Sequence, residues 1–93
     1  MGDNERARPL LEQARDLFKE ALGPKHPRYA TSLNNLALLY RHMGDYERAR
    51  PLYEQARDLR REVLGTKHPG YAASLNNLAL LYQAMGDYGR ARS

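Results

Sequence analysis

The stretch His26–Gly65, HPRYATSLNNLALLYRHMGDYERARPLYEQARDLRREVLG, carries two amphipathic patterns separated by a short break. In the first, Tyr29, Leu33, Leu36, Ala37, Tyr40 and Met43 recur at three- and four-residue steps, which sets them on one stripe of an α-helix facing a core. In the second, Ala49, Leu52, Tyr53, Ala56, Leu59 and Val63 do the same. Between them stands Met43-Gly44-Asp45. Glycine can take the left-handed conformation that ends a helix, and aspartate can accept hydrogen bonds from the free amides that begin the next. The stretch therefore reads as two helices folded back on each other.

Working outward, the pattern repeats. GDNERAR at 2–8 returns as GDYERAR at 44–50 and GDYGRAR at 86–92, an offset of 42 residues. Pro9–Arg50 differs from Pro51–Arg92 at 10 of 42 positions, leaving 32 identical. The His-Pro pairs at 26–27 and 68–69 mark helix starts, because proline at a first helical position removes only an amide that would have no helical partner. The spacing predicts helices near 3–22, 27–43, 45–64 and 69–85, with a truncated helix from 87. Pro9 and Pro51 fall about six residues into their helices, where each removes one backbone hydrogen bond, and a gentle bend is expected at each.

These residues resemble the tetratricopeptide repeat family. Leu36-Ala37 with Tyr40, then Gly44-Asp45-Tyr46, Ala49, Tyr53 and Ala56 match that family's pattern in order and spacing, and Leu78-Ala79, Tyr82 and Gly86-Asp87-Tyr88 match it again. The usual period is about 34 residues, so the longer period here is similar to the variant found in kinesin light chains. The resemblance implies an all-α fold: a helical-hairpin repeat solenoid, or α-α superhelix, of about two repeats with uncapped ends, forming a single domain over 1–93. It implies little about the partner.

In such a stack the first helix of each repeat lines the concave face, and residues there that point away from the packing stripe are candidates for binding a protein or peptide. They are Thr31, Asn34, Asn35, Leu38 and Arg41 in one repeat, and Asn76, Asn77, Leu80 and Gln83 in the next. Asparagine both donates and accepts, so paired asparagines can hold an extended peptide backbone without demanding a particular side chain. The likeness to kinesin light chains implies that role for Asn35 and Asn77. One asparagine of each pair can instead tie neighbouring helices together, and both roles stay open. Arg41 and the formal charge of +4 make an acidic peptide the first partner to try.

Helical repeats cannot bury their faces alone. The opening helix carries Leu11 and Phe18 where its internal copy has Tyr53 and Arg60; with Leu22 these widen its apolar face. Leu11, Phe18 and Leu22 are thus expected to mediate self-association into a homo-oligomer, with the opening helix of one copy covering helix 69–85 of another. The competing reading is a purely structural or engineered self-assembling repeat module without cargo.

Other function classes find little support. There is no glycine-rich phosphate loop, serine elbow or metal-ligand spacing, so neither an enzyme nor a cofactor is expected. With no cysteine, stability must come from packing. Arg48, Arg50, Arg57, Arg60 and Arg61 crowd one helix, but Glu47, Glu54, Asp58 and Glu62 interleave with them, giving pairs such as Arg50 with Glu54 and a solvated face. Nucleic-acid binding is the weakest reading, because the aromatics lie on the core stripe instead of among the basic residues. No apolar run approaches the roughly 20 residues of a membrane span, and the charged N-terminus lacks a signal-peptide core, so a cytoplasmic location is expected.

Overall fold

A computed structural model of the chain describes residues 3–86, which form four α-helices: α1 (Asn4–Leu22), α2 (Pro27–His42), α3 (Tyr46–Leu64) and α4 (Pro69–Ala84). The helix expected from residue 87 lies outside the described residues. Each helix packs on its neighbours in sequence, α1 on α2, α2 on α3 and α3 on α4. The Cα atoms extend over 38 × 34 × 18 Å, a slab thin enough for two layers of helices at the usual separation of about 8–10 Å. First-type helices α2 and α4 make one layer, second-type helices α1 and α3 the other.

The turns use the chemistry their residues carry. Asp3 and Asp45 stand just ahead of α1 and α3, and their carboxylates accept hydrogen bonds from the amides of Arg6 (3.1 Å) and Arg48 (3.3 Å), satisfying donors that the first helical turn leaves free. His26 and His68 cap α2 and α4 in the same way, each Nδ1 accepting from the amide two residues on, that of Arg28 at 3.1 Å and that of Gly70 at 2.8 Å. At the end of α2, Gly44 takes φ +78°; its amide donates to Arg41 O at 3.0 Å, while the amide of Asp45 reaches Tyr40 O at 2.8 Å. That pair of bonds is the Schellman closure, and the left-handed residue in it is what requires glycine. The turn reverses the chain within three residues, so α3 lies antiparallel on α2. Helices α1 and α3 run unbroken through the exposed Pro9 and Pro51.

The core gathers around α2 and draws on all four helices. Leu36, Ala37, Leu39 and Tyr40 of α2 meet Ala49 and Tyr53 of α3 and Leu78 and Leu81 of α4, with Ala7 and Leu11 of α1 packed on the same cluster. Ala37, Ala49 and Ala56 are fully buried. Such small side chains let backbones approach closely enough for Tyr53, buried between the layers, to fill the remaining space.

Two side chains depart from the stripes drawn on the sequence. Val63, expected in the core, is exposed, although Glu62 and Leu64 of the same turn meet Lys25 and Gly70. Leu39, outside the stripe, is buried, because α2 has a neighbour on more than one side. Charge pairing also differs in detail. Arg50 reaches Glu47 at 3.6 Å, leaving Glu54 to accept the Tyr82 hydroxyl at 3.2 Å.

Although their sequences nearly coincide, the two copies differ in what covers them. Leu33 is 1% exposed and its copy Leu75 44%; Leu59 is 9% exposed and its copy Leu17 63%. Leu33 and Leu59 face each other across α2 and α3, where they form part of the wall of an open cleft of about 320 Å³. Leu17 and Leu75 belong to helices that have no such neighbour among the described residues.

Candidate protein-interaction face

The layer of α2 and α4 gathers polar side chains that packing does not consume. Thr31 and Asn35 are exposed on α2, and Asn76, Leu80 and Gln83 on α4. Leu38 and Arg41 are half-buried. Leu80, the copy of Leu38, is the more exposed of the two. The Thr31 hydroxyl donates to Pro27 O at 3.2 Å, within its own helix.

The asparagine pairs divide their labour. Asn77 Nδ2 donates to Asn34 Oδ1 at 2.9 Å, linking the two first-type helices across 43 positions of sequence. The bond joins the first asparagine of one repeat to the second of the next. Asn35 and Asn76 are the members left exposed. Asn77 therefore keeps its carbonyl and one N–H beyond the internal bond, and Asn34 its amide nitrogen.

Arg41 supplies positive charge at the end of this face. Burial pushes the Tyr53 phenol above its usual range, and the positive charge of Arg41 partly offsets that rise.

On the other layer, hydrogen bonds join each second-type helix to the helix that follows. Tyr40 donates to Glu12 at 3.2 Å, and Tyr82 to Glu54 at the same distance. Arg60, at the position occupied by Phe18 one repeat earlier, donates to Ser74 Oγ at 3.1 Å and to Gly70 O at 3.4 Å, and desolvation lowers its pKa. A Cβ at Gly70 would lie 2.8 Å from Leu64 Cδ1. The sequence substitutes Phe18 and Arg28 in one junction for Arg60 and Gly70 in the other, and only the structure reveals that these positions face each other.

The residues expected to mediate self-association fall in different places. Leu22 is exposed, Phe18 is half-buried, and Leu11 packs on the core cluster. The apolar side chains most exposed on α1 are Leu10 and Leu17. Their signal was present in the sequence as copies of Leu52 and Leu59, whose partners lie on the preceding first-type helix. Among the described residues no cluster of three or more His, Cys, Asp or Glu could hold a metal ion, and no helix is long and apolar enough to cross a membrane.

Antiparallel helix pairs stacked by a near-exact sequence repeat, with amides and one guanidinium spared from packing along one layer, define a helical-repeat scaffold. The chain belongs to the tetratricopeptide repeat family, whose sequence pattern matches residues 1–61 and again residues 32–93. Repeats of this family generally mediate protein–protein interaction. The solved structure of BtubC (BKLC) from P. vanneervenii, a kinesin light chain-like repeat protein, is similar, with a TM-score of 0.86 and 31% identity over 96% of this chain. The chain corresponds to 36% of BtubC, about a third of its length. No curated protein matches the sequence.

Proposed function

We propose that this chain is an interaction scaffold that holds an extended peptide along the α2–α4 face and joins further copies of itself through the outer faces of α1 and α4. The observation that carries the first half is the alignment of Asn35, Asn76, Leu80 and Gln83 as exposed side chains on one layer whose helices are already tied together by Asn77 and Asn34. A face held rigid before binding loses less conformational entropy when a peptide docks. Exposed amides suit a peptide backbone, Leu80 suits an apolar side chain, and Arg41 with the net positive charge favours an acidic sequence. The cytoplasm is the setting proposed for this activity.

The test is fluorescence anisotropy with labelled extended peptides of acidic, neutral and basic composition. Acidic peptides should bind best, and Asn35→Ala and Arg41→Ala should each weaken binding while the far-UV spectrum stays helical. If no peptide binds and the chain nevertheless forms oligomers, the reading reduces to a structural assembly module. The exposed Leu10, Leu17 and Leu75 favour the self-associating half.

A further inference from the structure

We infer that one copy receives the next head to tail: α1 of the second copy docks on α4 of the first in the register of the α2–α3 pair. This rests on the self-associating half of the proposed function and gives it a polarity and a set of partners. Sequence offset makes α1 the copy of α3 and α4 the copy of α2, so the two outer faces are the two halves of an interface the molecule already contains. In that interface Leu33 and Leu59 are buried and line one cleft; their copies Leu75 and Leu17 are the exposed ones.

Polar contacts recur in the same register. Lys25 Nζ lies 2.8 Å from Glu62 Oε1, joining the turn ahead of α2 to the end of α3. The counterparts are Lys67 of the first copy and Glu20 of the second, both unchanged in the sequence. Asn77 donates to Asn34 between successive first-type helices. The counterparts are Asn35 of the second copy as donor and Asn76 of the first as acceptor, the two asparagines left exposed. One apolar, one ionic and one amide contact are thus available from a single placement. The replacement of Tyr53 by Leu11 makes the joint less well filled than the internal interface.

Repeating the internal operation leaves α1 of the first copy and α4 of the second still open, so the contact is heterologous and does not close on two copies. Sedimentation of the full chain should show mass rising past the dimer with concentration. Leu17→Glu and Leu75→Glu, at side chains exposed in the single copy, should each remain helical and sediment as monomers. Mixed, they should form a 1:1 complex that grows no further, because one supplies the intact α4 and the other the intact α1. Lys67→Glu should weaken assembly about two- to fivefold, and Glu20→Lys in the same chain should restore it.

Three results overturn the inference. Wild-type monomers at every concentration remove self-association altogether, while peptide binding is read separately by anisotropy. Oligomers that survive Leu75→Glu but not Leu17→Glu indicate a like-with-like contact of α1. Mixed variants that fail to combine, while the wild type assembles, exclude this register.

Discussion

Leu33 and Leu75 occupy the same position in two copies of one repeat, and truncating each to alanine isolates packing from helix propensity. Leu33 is almost wholly buried, so Leu33→Ala loses the transfer energy of the removed atoms and leaves a cavity, about 2–5 kcal/mol in well-packed cores. Leu75 keeps 44% of its surface in water and borders open space, so its truncation leaves no enclosed cavity. Burying a whole leucine is worth about 1.5–3 kcal/mol, and roughly half of that is about 1 kcal/mol. The two variants should differ by about 1–4 kcal/mol. For a chain of this size each kcal/mol moves the melting temperature by about 4–8 °C, so Leu33→Ala should melt at least about 4 °C below Leu75→Ala. Circular dichroism melts at concentrations dilute enough to keep the protein monomeric provide the measurement. Equal melting temperatures would refute the assignment of α3 as the cover of Leu33. At high concentration the order of effects should shift, since Leu75→Ala then also weakens the joint between copies.

Other consequences are open to measurement. Gly44→Ala forces a side chain into a left-handed backbone with no steric neighbour within 4 Å, so denaturant titration should show a loss of about 1–2 kcal/mol from conformation alone. A double-mutant cycle on Asn34→Ala and Asn77→Ala should give a coupling of about 0.5–1.5 kcal/mol, and a coupling near zero would mean the amide bond contributes nothing net. Because burial raises the Tyr53 pKa, folding favours the neutral phenol. That contribution is fully present below the ordinary value of 10.0 and is lost as pH rises through the higher folded value. Thermal melts above pH 10 should therefore fall less steeply for Tyr53→Phe than for the wild type.

Local rules written in the sequence carried much of the fold. Gly44 with Asp45, and each His-Pro pair, mark ends that depend only on backbone geometry and nearby hydrogen bonds, and the offset between copies supplies the stacking order. What the periodicity does not contain is the number of neighbours a helix will have. A single stripe describes one contact surface, so Leu39, turned toward a second neighbour, falls off it, and Val63 stays on it although its side chain is exposed. The same gap explains the outer face of α1. Leu11 and Phe18 attract notice because they differ from Tyr53 and Arg60, yet exposure belongs to the unchanged Leu10 and Leu17, whose environment differs instead of their identity. Among the asparagines, composition shows that bonding is available but not which two meet; that depends on the rotation from α2 to α4.

The most extensive interhelical interfaces join helices consecutive along the chain. Loop closure between such neighbours is entropically cheap, so the chain should fold quickly for its size. It should also come apart from its extremities, since α1 and α4 each have one consecutive neighbour while α2 and α3 each have two. Amide hydrogen exchange would then trace a gradient, slowest around Leu36 and Tyr53 and faster toward either extremity. Adding a copy at one extremity would slow exchange there first, which makes the fraying helix itself a reporter of what has bound beside it.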